Sequence, residues 1–165
     1  MAAHRLEVIP AELRGLPRWV RWMGRKIPRT VNGGMASSTD PATWSSYREA
    51  KRSTVGVGLG FVLNGDGIVC LDLDHCVGPD GALSEGADVL VRLAGDTYIE
   101  VSPSGHGLHI WGYAPGLQCG RRVTFRGQPV EVYPSGRYMT VTGRPFAGFE
   151  RPLGDVSALV GAVVT

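Results

Sequence analysis

The sequence predicts an α+β domain, a mostly antiparallel sheet with a few helices laid on it. Short runs alternate apolar and polar residues at the period of a strand, Gly-rich turns separate those runs in pairs, and a few segments carry helix caps. No internal repeat, linker or low-complexity stretch interrupts the 165 residues, a length that fits one domain.

Taken in order, Pro10–Pro17 reads as a short helix or turn, followed by a strand-like Arg18–Met23. Gly24–Ser38, rich in Gly, Pro and small polar residues, reads as loop. Asp40 or Thr43, with Pro41 between them, caps a short helix through Trp44, Tyr47 and Ala50. Val55–Leu63 alternates Gly with larger apolar residues, as in a strand packed close to other backbone. Asn64-Gly-Asp-Gly67 predicts a hairpin turn into the strand Ile68–Asp74. Ser84 caps a helix to about Ala94, ended by Gly95. Thr97–Val101 and Leu108–Tyr113 form a second predicted hairpin around Ser102–Gly107. Val130–Tyr133 and Tyr138–Val141 form a third around Pro134–Gly136, and Asp155 caps a final helix through Leu159 and Val163.

Cys70, Cys76 and Cys119 make an odd number without a Cys-x-x-Cys pair, which argues against a disulfide framework and a zinc ribbon. No signal peptide is visible, and no run approaches the roughly 20 apolar residues of a membrane helix. A reducing cytoplasm is the expected compartment. Charge is distributed unevenly: seven basic residues to Thr30, eight acids against Arg92 alone from Phe61 to Glu100, and a basic excess after Gln118. An acidic centre between basic ends suits either a metal site flanked by polyanion-binding surfaces or ordinary solvated faces.

Asp72 and Asp74 share one face of their strand, roughly 7 Å apart along it. Ile68 and Cys70 precede them on that face, and Val69, Leu71 and Leu73 supply the other, buried one. Two such carboxylates repel unless a cation sits beside them, and their hard oxygens suit Mg²⁺ or Mn²⁺; at a strand end they also simply meet water. Glu131 is an acid inserted among apolar neighbours, either a third metal ligand or an exposed edge position. In Ser102-Pro-Ser-Gly-His-Gly-Leu-His109 the hydroxyls of Ser102 and Ser104 and the backbone at Gly105 are candidate phosphate donors. His109 and Arg137 are candidates for the same task, and Lys26, one of two lysines, for a phosphate. Arg25, Arg29, Arg121, Arg122 and Arg126 are candidate contacts to a nucleic-acid backbone, and Trp22 or Trp44 to a base.

Together, Asp72-Leu-Asp74, Ser102–Trp111 and Val130-Glu131-Val-Tyr…Arg137–Gly143 resemble the three catalytic motifs of primase-polymerases, in the phage and plasmid branch of the archaeo-eukaryotic primase superfamily. The separations, 37 residues from Asp72 to His109 and 22 from His109 to Glu131, fit that pattern, and the likeness spans about Ile9 to Gly143. One departure is Gly107 two before the histidine, where the family often has serine.

The resemblance implies a catalytic core like an RNA-recognition-motif sheet, with an N-terminal α/β part to about residue 55, the catalytic sheet over 56–150 and a C-terminal helix over 151–165. It implies template-directed nucleotidyl transfer by two metal ions on Asp72, Asp74 and Glu131, with His109 and Arg137 on the triphosphate. The implied partners are a DNA template and primer, nucleoside triphosphates, and a helicase or C-terminal priming domain, with no membrane. Sugar preference and the ability to start chains stay open. A replication-initiator nuclease is excluded, since His106 and His109 are separated by two residues where that motif has one. A metal-dependent nuclease or phosphodiesterase and a non-catalytic single-strand or nucleotide-binding module are the alternatives.

Overall fold

The computed structural model describes residues 8–165; Arg5, counted above among the N-terminal cations, lies outside them. A helical turn, α1 (Ala11–Arg14), leads into strand β1 (Trp19–Met23), and β2 (Ile27–Arg29) returns beside it. Helix α2 (Tyr47–Arg52) precedes β3 (Gly58–Asn64) and β4 (Ile68–Leu73). Helix α3 (Glu85–Ala94) is followed by β5 (Ile99–Val101), β6 (Leu108–Tyr113), β7 (Arg121–Phe125), β8 (Gln128–Tyr133) and β9 (Ser135–Val141). The two-residue β10 (Gly154–Asp155) and helix α4 (Ser157–Val164) complete the order. All pairings are antiparallel except β10 with β6, so the α+β expectation holds.

The strands divide into two sheets. One has the order β2-β1-β3-β9; the other runs β10-β6-β4-β8-β7, with β5 also paired to β6. Two expected hairpins are therefore corrected. Strands β3 and β4, though joined by a tight turn, belong to different sheets, and so do β8 and β9. In the first connection the turn bonds away from its own strands: Gly65 N donates to Pro134 O and Ala114 N to Gly67 O. The buried Arg18 holds it there, pairing with Asp66 at 3.1 Å, bonding Asn64 and lying over the Phe61 ring at 4.6 Å. In the second, Pro134 has no N–H to continue a ladder. The β5–β6 hairpin forms as expected.

Period-2 alternation gives the larger sheet two apolar faces. Val69, Leu71 and Leu73 pack with Leu90 and Val91 of α3 and Leu159 and Val160 of α4. Ile68 and Cys70, on the opposite face, pack with Trp111, Phe61 and Trp19 between the sheets. Trp19, Phe61 and Trp111 meet edge to face at 5.2 and 5.8 Å, fixing the sheets against each other. The glycines of β3 permit close approach: a Cβ on Gly60 would lie 2.5 Å from the Tyr138 ring, and one on Gly58 2.7 Å from the Trp22 indole.

Caps fall near their expected positions. Ser84 Oγ accepts from Ala87 N at 3.2 Å, and Gly95 ends α3 at φ 65°. Asp40 caps only a 3₁₀ turn, Pro41–Thr43, while Ser46 and Glu49 form a capping box on α2. Asp155 accepts from Ser157 N at 2.8 Å at the start of α4. Three strands depart from the sequence expectation, the two-residue β10 among them. The edge strand β2 lies within the segment expected as loop and tolerates Pro28 because an edge needs no second ladder, and the Arg-rich β7 was not anticipated. Among the described residues no helix is long and apolar enough to cross a membrane.

Candidate active site

Strand register sets five charged or titratable side chains abreast. Asp72 on β4 stands opposite His109 on β6 and opposite Glu131 on β8. His109 in turn faces Glu100 on β5, and Glu131 faces Arg122 on β7. The row Glu100, His109, Asp72, Glu131, Arg122 thus crosses the larger sheet on the face turned toward the smaller one. The next row on that face, Trp111, Cys70 and Tyr133, belongs to the core between the sheets. The charged row lies at the rim where that core opens.

Each contact along the row pairs opposite charges except one. Glu100 Oε2 lies 3.1 Å from His109 Nδ1, and His109 Nε2 lies 3.6 Å from Asp72 Oδ1. At the far end Arg122 Nε is 3.1 Å from Glu131 Oε1. Between them Asp72 and Glu131 are like-charged cross-strand neighbours, an arrangement that destabilises a sheet unless something cationic joins it. Burial pushes the Asp72 carboxyl above its ordinary range. His109 and Lys26 draw it down, Asp74 and Glu131 push it up, and the net direction is up.

A carboxylate only accepts hydrogen bonds, so His109 Nδ1 carries the proton toward Glu100 and Nε2 is directed to Asp72. Burial alone lowers the imidazole's affinity for a proton; the hydrogen bond and charge of Glu100, with Asp72, outweigh it and raise it. Glu100 is itself fully enclosed, and its oxygens also accept from Tyr98 Oη at 2.9 Å, Thr142 N at 3.0 Å and Gly143 N at 3.2 Å. Glu131 accepts from Tyr133 Oη at 2.9 Å, and the Arg137 guanidinium lies over the Tyr133 ring at 4.6 Å.

These groups open into a cleft of about 250 Å³ between the sheets, lined by Asp72, His109 and Glu131 from one side and by Lys26, Arg137 and Tyr138 from the other. Lys26 sits in the tight β1–β2 connection at φ 57°, and its carbonyl accepts from Tyr138 Oη. Of the expected residues, the structure thus gathers Asp72, Glu131, His109, Arg137 and Lys26.

Others stand apart. Asp74 is exposed just past β4, its carbonyl accepting from Gln128 Nε2 at 2.6 Å. Among the described residues no three His, Cys, Asp or Glu side chains already converge on one metal-binding point. Ser102 Oγ accepts from Gly107 N and Ser104 Oγ from His106 N, so both hydroxyls brace the turn, and neither they nor Gly105 line the cleft. The turn docks beneath Asp74: Cys76 and Val77 donate their N–H groups to His106 O, and a Cβ on Gly107 would lie 2.7 Å from Leu73 O. Gly107 is therefore required by packing. Arg122 is engaged with Glu131, Arg29 lies between the sulfurs of Met23 and Met35, and Arg25, Arg121 and Arg126 are exposed outside the cleft. Trp44 donates its indole N–H to Ser37 O. Glu100 and Tyr133 were not singled out; Glu100 carries the same signal as Glu131, an acid among apolar strand residues.

A two-sheet α+β domain with carboxylates, a histidine and cations converging on one cleft has relatives. Residues 1–149 match the family described as "Bifunctional DNA primase/polymerase, N-terminal", and the chain belongs to that family. It is similar to a DNA primase-polymerase of Nitratiruptor phage NrS-1, 40% identical over 154 residues. That alignment takes in 85% of this chain and 21% of the phage protein, so the chain spans about a fifth of its relative's length.

Proposed function

We propose that the cleft catalyses template-directed nucleotidyl transfer, as the DNA polymerase and primase catalytic domain of a phage or plasmid replication enzyme acting in a bacterial cytoplasm. The observation that carries this is the juxtaposition of Asp72 and Glu131 across β4 and β8, facing Lys26 and Arg137 over one cleft. The larger sheet, with α3 and α4 behind it, is read as the RNA-recognition-motif-like core of the primase superfamily.

The donor set fits a hard divalent cation: oxygen ligands only, like-charged, and partly shielded from water. Asp72, Glu131 and the exposed Asp74 would hold Mg²⁺ or Mn²⁺, and convergence of the three is work that only a cation performs. When bound, the metal supplies activation of a 3′-hydroxyl and neutralisation of the departing pyrophosphate. The chain's own groups do the rest. His109, held by Glu100, presents a fixed Nε2–H to a triphosphate oxygen, where rigid donors stabilise developing charge without reorganising. Arg137, its planar face kept by Tyr133, and Lys26 neutralise the other phosphate oxygens. Arg25, Arg29, Arg121 and Arg126 are left for template and primer backbones. Ser102, Ser104 and Gly105 then serve by fixing the turn beneath Asp74.

The test is extension of a labelled primer on a template with each nucleotide set in Mg²⁺ or Mn²⁺. A ladder that disappears with chelator and with Asp72→Asn is expected. Metal-dependent loss of label without extension would instead make this a nuclease.

A further inference from the structure

A second cleft of about 540 Å³ adjoins the first along β9: Met139 and Thr140 line one, Val141 and Thr142 the other. Its volume lies within the range of small-ligand sites. Its lining combines two guanidinia with an apolar wall. Arg21 is anchored by Nε to Val55 O at 2.7 Å, and Arg144 by Nη2 to Ser102 O at 2.6 Å. Among the described residues neither arginine has a carboxylate at ion-pair distance, and no acid lines this cleft. Arg21 is half-buried and Arg144 exposed, and two cations facing one space without a counter-charge attract an anion.

The wall selects the kind of anion. The Trp22 indole lies over Gly58, and beside it are Pro103 and Val57, which is 71% exposed although apolar. The indole N–H is already spent on Leu59 O at 3.0 Å, so the ring offers surface and no donor. Phosphate-binding forks next to a flat, donor-free apolar surface match a nucleotide unit whose base is held by stacking and not by its edge. The cleft also connects to the reacting centre through one side chain. Glu100 accepts from Thr142 N of this cleft and, on the same oxygen, faces His109 Nδ1 of the other.

We infer that this second cleft holds one nucleotide of a single-stranded nucleic acid, Arg21 and Arg144 on its backbone phosphate and its base against Trp22, Val57 and Pro103. The inference rests on the nucleotidyl-transfer reading and says where the strand enters beside the reacting centre.

The experiment measures binding of a fluorescent oligothymidylate by anisotropy across a salt series, with binding of a nucleoside triphosphate in Ca²⁺ measured in parallel. Arg144→Gln is expected to weaken oligonucleotide binding about tenfold and to reduce the salt slope by about 0.7, as for one phosphate contact on a single strand. Val57→Glu, at an exposed site that leaves packing intact, is expected to weaken it similarly by placing a like charge at the mouth. Triphosphate binding stays unchanged in both. Unaltered oligonucleotide binding in Val57→Glu and Arg144→Gln overturns the inference, as does an effect confined to the triphosphate, which would assign the cleft to the incoming nucleotide. Asp72→Asn separates the two readings: it removes extension and leaves oligonucleotide binding and its dependence on Arg144 in place. If the wild type shows no extension but the Arg144 dependence persists, the strand site stands and the nucleotidyl-transfer reading falls.

Discussion

Glu100 Oε2 lies 3.1 Å from His109 Nδ1, with 0% and 2% of the two side chains exposed. A carboxylate removed from water this completely is sustained by its four partners, and it orients the ring that faces Asp72. Removing it strands all of them. Glu100→Ala is expected to destabilise the domain by about 3–5 kcal/mol, the scale for breaking a buried pair. Glu100→Gln, which keeps the shape and an acceptor, costs visibly less. Chemical denaturation of both variants checks this.

Asp72 and Glu131 face each other without an intervening opposite charge. Asp72→Asn is expected to abolish primer extension, a loss beyond the hundredfold typical of an outer-sphere metal partner. In chelator the same variant melts no lower than wild type, because the ionised Asp72 is disfavoured by burial and by its acidic neighbours. A lower melting temperature in chelator would contradict that electrostatic account.

The His109 imidazole binds its proton more tightly in the fold than its ordinary value of 6.5. Its contribution to stability is therefore fully present below about pH 6.5 and is lost as the pH rises through the higher folded value. Urea denaturation of the metal-free domain from pH 5.5 to 9 should show wild-type stability falling relative to His109→Gln as the pH rises. Parallel curves would remove the imidazolium from the row.

Gly107 carries the turn beneath Asp74, with room for no side chain. Gly107→Ser would push its Cβ against Leu73 O and the Ser102 hydroxyl. A cost of about 1–3 kcal/mol is expected from overpacking, with extension reduced in step as Asp74 is displaced. Thermal melting and primer extension on the same sample check it.

Much of this site was legible from local pattern. Alternation on Ile68–Asp74 placed Asp72 on the face with Cys70, and the acid in Val130–Tyr133 marked Glu131. Glu100, in Tyr98-Ile-Glu-Val101, carries the same mark for a different reason: it is satisfied by a histidine, a tyrosine hydroxyl and two backbone amides. That signal alone does not separate a ligand from a support. Caps at Ser84 and Gly95 were legible because their chemistry is local. Strand partners were not. The turns at Asn64–Gly67 and Pro134–Gly136 look like hairpins, but whether the chain folds back is decided by distant contacts such as Arg18 with Asp66 and Gly65 with Pro134. Ser102 and Ser104 are phosphate-donor candidates in sequence, and only the fold shows that their hydroxyls also accept from Gly107 N and His106 N within their own turn.

The alternation of the chain between two sheets bears on how the molecule is assembled in time. Strand β3 waits for β9, almost eighty positions later, before its second ladder is made, and β4 waits for both β6 and β8. Neither half gains a closed sheet from its own consecutive strands, so a nascent N-terminal portion emerges with unpaired edges. Such non-local pairing makes for slow, concerted folding and a high relative contact order. It also means that the cleft is among the last features to appear, since Lys26, Asp72, Glu131 and Arg137 come together only when the late strands dock.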